Sequence, residues 1–443
     1  MHKRMAQPCV LYLPTKLAQS MGVDNAQHIS VRFGSAVAKA VVRLNEGDTP
    51  LLSPLLRARL HYPAGYKGNV VYHKERDEIH LGPLIGLLTV PFGSRASVGS
   101  SALFKGLRRY GNQIGALVYA FTSHDVDWSH RLVRASVECS GALSVVTLPL
   151  PDVIYNRVPN RGLERTPHYR NFLRQLAQVK HVYMFNPRFF NKWQVHKWLS
   201  TVPEVEEYLP ETKPLRSSRD IETILAKYNH AYVKPVGGSL GQGIVRVHRS
   251  KSGFVVAYRV GHSNLEHKHH NFAQAAADIF SARHRRNYVV QQGLSLARFR
   301  GRTFDVRVTM HRNGLGEWDA VGPAAKVAIT GAITTHVHNG GRVYPLKRVL
   351  REVFPGKEDE LYAQVVKAGK EVAKALEKST QMKLGELGLD LGITPEGNVY
   401  MFEANAKPGR MIFAPVWARR DGAYSLYCVC AYAHYVAGFG LIG

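Results

Sequence analysis

Between Leu387 and Asn405 the chain writes two apolar strands around Pro395-Glu-Gly-Asn398, a run with the composition of a hairpin turn. If Thr394 pairs with Val399, counting outward sets Asp390 directly opposite Glu403, and alternation brings Asn405 onto the face of Glu403. Carboxylates opposed in this way have Cβ atoms only about 5 Å apart, and like charges there destabilise a sheet. A shared proton relieves the conflict by raising one pKa, a divalent cation relieves it with both groups ionised, and solvation at a sheet edge avoids it. The donor set is two carboxylates and an amide oxygen, all hard, so an ion held here is Mg²⁺ or Mn²⁺ rather than zinc.

The chain around this hairpin can bury a core. Its 443 residues are 45% hydrophobic and 21% charged, which excludes disordered and fibrous classes and suggests two or three domains. Residues 1–82 read as a β-rich domain, a small barrel or sandwich, with Ile29, Val31 and Phe33 alternating along a half-buried strand. Residues 83–189 read as a small α/β domain, because the runs Leu84 to Val90 and Ile114 to Phe121 are continuously apolar, as strands covered on both faces are. The prolines of Leu148-Pro-Leu-Pro-Asp-Val-Ile-Tyr-Asn156 mark its end. From 190 to 443 helix and strand signals alternate. One helix follows a capping Ser218 with Ile221, Ile224, Leu225 and Tyr228, and another runs from about 358 to 378 with Leu361, Val365, Ala368, Val372 and Leu376 on one stripe.

Cys9, Cys139, Cys428 and Cys430 are too scattered for a disulfide framework or a cysteine zinc site, which fits a reduced, cytoplasmic setting. Pro8, Pro14 and Lys16 interrupt the N-terminal apolar stretch and make it a poor signal peptide. From Gly422 to Gly443 there is no Lys, Arg, Asp or Glu, a length that raises a membrane span. His434, the glycines and tyrosines, and the lack of a second such segment favour a buried terminal helix and no membrane.

Further segments are candidates for chemistry. In Tyr232-Val-Lys-Pro-Val-Gly-Gly-Ser-Leu-Gly-Gln-Gly-Ile-Val-Arg-Val247 a strand delivers Lys234, and a loop with Gly237, Gly238, Ser239, Gly241 and Gly243 leads into a second strand. Converging backbone N–H groups and a lysine suit phosphate oxygens, although an ordinary glycine-rich hairpin has the same composition. It is not a Walker A loop, because Ile244-Val245 replace Lys-Ser/Thr and a strand follows. In Phe304-Asp-Val-Arg-Val308, Asp305 and Arg307 share a face, as a structural ion pair or as a clamp on a phosphoryl group. Downstream, Lys326 sits in a strand-like run, and Asn339-Gly-Gly-Arg342 forms another candidate anion-binding loop. His267, His269 and His270 invite a metal reading, but a polar segment from Glu266 to Asn271 reads rather as a solvated loop or helix start.

In this order the segments resemble an ATP-grasp ligase over roughly residues 190 to 430, and more specifically the YheC/YheD-like group of spore-forming bacteria. The closer likeness extends upstream through Ile79-His-Leu-Gly-Pro-Leu-Ile-Gly-Leu87 and Pro149-Leu-Pro-Asp-Val-Ile-Tyr-Asn-Arg157. The resemblance implies an ATP-grasp fold at 190–443, two α+β subdomains (about 230–292 and 293–430) clamping ATP. A pre-ATP-grasp α/β domain and the β-rich domain precede it. It implies ATP and Mg²⁺ (or Mn²⁺) as cofactors. It further implies that Lys192 and Lys234 contact the nucleotide, that the loop Gly237 to Gly243 closes over the phosphates, and that the hinge Gln291, Gln292, Gly293 and Leu294 meets adenine. By the same resemblance Asp390, Glu403 and Asn405 match the metal ligands, Arg307 matches the arginine near the γ-phosphate, and Arg410 lies where such enzymes often meet the acceptor. Lys326 departs from the arginine of many relatives and loses its planar fork. Thr335 or His336 stands where many have asparagine, and glutamine replaces a hinge carboxylate. The implied activity joins a carboxylate to an amine through an acyl phosphate.

There are 59 Lys plus Arg against 33 Asp plus Glu, a formal charge of +26. This supports a rival reading as a nucleic-acid or polyanion binder, yet no helix-turn-helix, zinc-finger or RNP-like pattern accompanies it, so no specific nucleic acid is expected. A non-catalytic coat protein on a ligase scaffold is a further reading. With a ligase site, the surplus is expected to steer a large acidic partner, a protein or peptide, to the enzyme.

Overall fold

Ile29, Val31 and Phe33 are fully buried along the strand His28–Phe33, as their alternation requires. Gly34 ends it at φ +55°, where a Cβ would stand 2.4 Å from the Leu150 carbonyl oxygen. The structure is a computed structural model and describes residues 8–91, 102–139, 142–237, 242–260, 263–283, 287–329 and 341–441. Two units result: Met1–Arg188 with Arg312–Glu317 and Ser425–Gly443, and Phe189–His311 with Trp318–Tyr424. The segment from Ser425 onward therefore groups with the first unit.

The first unit holds two sheets. Residues 10–82 form one six-stranded sheet in the order Leu51–Leu52, Val10–Pro14, Ala36–Asn45, His28–Phe33, Glu78–Gly82, Asn69–His73. This mixed sheet stands in place of the expected barrel or sandwich. Two of its neighbouring pairs run parallel, which tight hairpins cannot produce. In the second sheet Leu84–Leu88 and Leu117–Phe121 pair in parallel, and nearly every residue of both is buried, which is why their apolar runs lack alternation. Val153–Asn156 does not end this domain; it inserts beside Leu84–Leu88, and Tyr183–Phe185 pairs on its far side. The helix Arg419–Val436 places Val429, Cys430, Tyr432 and Ala433 in one core with Ile85, Leu87, Phe104 and Leu107. Among the described residues no helix is long and apolar enough to cross a membrane.

The second unit carries the segments singled out for chemistry, on two further sheets. One is antiparallel throughout, in the order Thr212–Pro214, Tyr288–Gln292, His230–Pro235, Val245–Ser250, Gly253–Val260, Ser263–His269. The helix Ser218–Lys227 packs Ile221, Ile224 and Leu225 into the core of this sheet. Its cap is Ser217 in a capping box with Asp220, one residue before the expected Ser218. The other sheet runs Arg342–Pro345, Trp318–Val327, Arg302–Arg312, Glu386–Ile393, Val399–Asn405. Beneath it lies the helix Glu358–Thr380, with Leu361, Val365, Ala368, Val372 and Leu376 buried against Val308, Met310, Leu389 and Leu391. Each large side chain buried there contributes about 1.5–3 kcal/mol, which fixes the strands that carry the site.

Candidate active site

The hairpin count gives the right opposition through a different register. Ile393, not Thr394, pairs with Val399, and Thr394 closes the turn by donating its N–H to the Asn398 carbonyl at 3.0 Å. A bulge between Asp390 and Leu391 then restores the lost residue: Leu391 pairs with Met401 and Asp390 with Glu403. Phe402 is the extra residue, and its ring centroid stands 5.6 Å from Lys234 Nζ. Asn405 pairs with Gly388, two residues beyond Glu403 on the same strand.

On the neighbouring strand Arg307 is the direct partner of Asp390, so Arg307, Asp390 and Glu403 form one rung across three strands. Arg307 Nε and Nη2 donate to Asp390 Oδ1 and Oδ2 at 2.8 and 2.9 Å, a bidentate fork. Lys326 Nζ donates to the same Oδ1 at 2.8 Å and stands 3.1 Å from Asp305 Oδ1. Asp305, Lys326 and Asp390 are all buried. Burial alone raises the Asp390 carboxyl, but Arg307 and Lys326 more than reverse this and hold it well below the usual carboxylate range. The same carboxylates outweigh burial at the cations and hold Arg307 and Lys326 above their ordinary values. Gly388 is needed beside this rung, because a Cβ there would lie 2.5 Å from Pro408 Cβ and 3.2 Å from Arg307 Nη1.

Glu403 is neutralised from elsewhere. Lys192, the first residue of the helix Lys192–Leu199, donates from Nζ to Glu403 Oε1 at 2.8 Å, while its backbone N–H bonds the Val236 carbonyl at the edge of the glycine-rich loop. Three side-chain cations thus balance the opposed carboxylates, an arrangement that lies outside the alternatives read from the hairpin alone. Asp390 already accepts three hydrogen bonds of about four it can take, which leaves room on Oδ2, and Glu403 Oε2 adds a second oxygen. With the Asn405 amide this set fits a hard divalent cation, provided Lys192 moves off Glu403.

Lys192, Lys234, Gln291 and Glu403 line one pocket with Phe190, Phe402 and other apolar side chains. Lys234 Nζ donates to Gln291 Oε1 at 2.5 Å, and Gln291 Nε2 donates to Thr212 Oγ1 at 2.9 Å. Thr212 is a pocket residue that no motif marks. Burial first and the charge of Lys192 second lower Lys234 to about 8. A polyanion bound beside Lys234 favours its charged form, so nucleotide binding is expected to take up a proton at and above pH 8. Calorimetry in buffers of different ionisation enthalpy checks this: proton uptake near pH 8.5 should disappear in Lys234→Arg, whose guanidinium stays charged. An unchanged uptake in that variant removes Lys234 from the nucleotide site.

The hinge run is only partly gathered into this pocket. Gln292 pairs with Glu211, its N–H on the Glu211 carbonyl at 2.8 Å and its Oε1 accepting the Glu211 N–H at 3.1 Å. The Gly293 N–H bonds the His230 carbonyl at 2.9 Å, and Leu294 lines a separate cavity with His230, Tyr232 and Arg246. Two backbone donors of the hinge are therefore held within the protein. Arg410 packs against other partners, with Nη2 on the Gly422 carbonyl at 2.9 Å and its guanidinium 5.3 Å from the Phe413 ring centroid. Gly237 and Gly243 are seen at the two ends of the loop, and Gly243 adopts φ +71°. Gly238, Ser239 and Gly241 lie outside the described residues, as do Thr335, His336 and Asn339.

The sequence is 30% identical over 410 residues to the endospore coat-associated protein YheD of Bacillus subtilis (strain 168), covering 91% of this chain and 88% of that protein. To the endospore coat-associated protein YheC of the same organism it is 21% identical over 329 residues, covering 73% and 89%. Among solved structures, D-alanyl-alanine synthetase A from Vibrio cholerae O1 biovar eltor str. N16961 aligns with a TM-score of 0.46 at 14% identity, over 80% of this chain and 98% of that one. The family profile for YheC/D-like ATP-grasp proteins matches residues 181–436, and with the coverage of YheD it shows that the chain belongs to the YheC/D-like ATP-grasp family.

Proposed function

We propose that this protein is an ATP- and Mg²⁺-dependent carboxylate–amine ligase. The observation that carries the reading is the meeting of Lys192, Lys234 and Glu403 in one pocket, with Glu403 on the Arg307–Asp390 rung. These are the groups phosphoryl transfer needs, because its catalysis is positioning and charge neutralisation. Asp390, Glu403 and Asn405 would hold Mg²⁺, which would supply further neutralisation of the phosphate oxygens. Lys192 and Lys234 exchange Glu403 and Gln291 for phosphate oxygens, and Arg307 and Lys326 hold Asp390 ionised and oriented. A substrate carboxylate oxygen attacks the γ-phosphorus as its bond to the β,γ-bridging oxygen breaks and ADP leaves. An amine nitrogen then attacks the acyl carbon, inorganic phosphate leaves, and the amine gives up its proton. No side chain acts as a nucleophile.

The endospore coat-associated relatives support a spore-linked setting for this chain. The charge of +26 supports an acidic protein or peptide as the acceptor. ADP release, assayed against separate pools of amino acids, peptides and acidic proteins, tests both statements. Release with the acidic pool is the expected result, and release with another pool alone would replace the acceptor. Silence with every pool, together with no ATP binding, would sink the ligase reading in favour of a non-catalytic coat protein.

A further inference from the structure

The polar segment Glu266 to Asn271, read from sequence as a loop or helix start, is largely a strand. Ser263–His269 is the last strand of the glycine-loop sheet, and the helix Phe272–Ser281 begins only after Asn271 caps it. Alternation puts His267 and His269 on one face of this strand. It is the face toward the helix: His267 pairs with Val256 and His269 with Phe254, and Val256 and Phe254 pack in the same core as Ala275, Ile279 and Phe272 of the helix. Asp278, one helical turn beyond Gln274, meets both rings. Its Oδ2 lies 2.8 Å from His267 Nδ1 and 2.9 Å from His269 Nε2.

We propose that His267, His269 and Asp278 form a binding site for a divalent transition-metal ion of the zinc class. Two imidazole nitrogens and one carboxylate oxygen lie within 4.8 Å of one another, the one such gathering of three among the described residues. Metal bonds of about 2.0–2.2 Å in a tetrahedron separate neighbouring donor atoms by about 3.4 Å. Moving each ring nitrogen about half an ångström away from Asp278 Oδ2, and closing the two nitrogens from within 4.8 Å to about 3.4 Å, replaces two hydrogen bonds to one carboxylate oxygen by three bonds to an ion. Each neutral ring carries its proton on the remote nitrogen when its near nitrogen binds the metal. Imidazole ligands select the zinc class, in contrast to the oxygen-only set around Glu403.

The surroundings supply an outer shell and an opening. The Tyr258 ring centroid is 5.4 Å from that of His267, and its buried hydroxyl lies beside the Asp278 carboxylate. The His269 and Asp278 side chains are 18% and 17% exposed and that of His267 42%, so a fourth position faces solvent and takes water or an external ligand. An ion here ties the last strand to the helix that covers it. His270 is not among the three gathered donors, and its backbone N–H bonds Gln274 Oε1.

The test uses the full-length, EDTA-stripped protein with Zn²⁺ or Co²⁺ alone, read by competition with a zinc chromophore, by Co²⁺ visible absorption and by thermal unfolding. Expected are a single specific ion per chain, a four-coordinate Co²⁺ spectrum, and a rise in Tm with metal. His267→Ala, His269→Ala and Asp278→Asn should each weaken binding by more than the about 10–100-fold that loss of a supporting hydrogen bond costs. His270→Ala should leave it unchanged. Should the alanine variants fail to fold, His267→Gln and His269→Gln, whose amides can still donate to Asp278, take their place. The proposal is overturned if the wild-type protein binds no Zn²⁺, if the His267/His269 double variant binds as the wild type does, or if His270→Ala weakens binding equally. The site is independent of the ligase reading, so Glu403→Gln should bind Zn²⁺ like the wild type.

Discussion

Glu403→Gln is expected to keep the fold and lose Mg²⁺-dependent ATP turnover, by about 10²-fold or more, the usual loss when one preorganised charge-handling group is removed. The amide oxygen can still accept from Lys192 Nζ, which Glu403 Oε1 receives at 2.8 Å, so the local packing survives. What disappears is the negative charge that the proposed Mg²⁺ site would need. Nucleotide binding without metal should change little, because Lys192 leaves an oxygen of residue 403 for a phosphate oxygen in both proteins. Turnover across a Mg²⁺ titration, set beside ADP affinity in EDTA, checks the prediction. An active variant with an unshifted Mg²⁺ dependence would remove Glu403 from the metal site.

Asp390→Asn should act first on stability. Buried Asp305 and Asp390 balance buried Lys326 and the half-buried Arg307 in one quartet, and the amide leaves one of its positive charges without a counter-charge. Breaking a buried ion pair at one partner costs about 3–5 kcal/mol. Chemical denaturation should show this loss, and Lys326→Met added to Asp390→Asn should recover part of it by restoring neutrality while leaving turnover absent. A midpoint equal to that of the wild type would show that the quartet contributes no net stability. The pH dependence has a definite sign. The folded Asp390 carboxyl lies below its unfolded value of about 3.9, so its contribution is complete above that value and is lost as pH falls through the lower folded one.

Particular residues show what was legible in the chain. The stripe Leu361, Val365, Ala368, Val372 and Leu376 could be read because helical periodicity is local, and every one of these residues is buried. The Asp390–Glu403 opposition was legible although its premise was not. Hairpin counting cannot foresee a bulge, and the shift at Ile393 happens to cancel the extra residue Phe402. The histidine segment reads as a loop or helix start but is largely a strand, and Asp278, on the following helix, reaches His267 and His269 only once strand and helix pack together. The barrel or sandwich expected for residues 1–82 failed because short apolar runs do not state whether neighbours pair parallel or antiparallel.

The sequence by itself determined the elements and the chemistry they carry: the glycine-rich loop after Lys234, the hairpin with its two carboxylates, the strand with Asp305 and Arg307, and the family to which their order belongs. Tertiary structure alone decided how those charges are balanced. Lys326 and Arg307 reach Asp390 across 64 and 83 residues, and Lys192 reaches Glu403 across 211. Periodicity and turn chemistry act over a few residues and are written in the order of side chains. The pairing of buried charges depends on which strands and helices close upon one another, and is fixed when the core excludes water and each buried charge requires a partner.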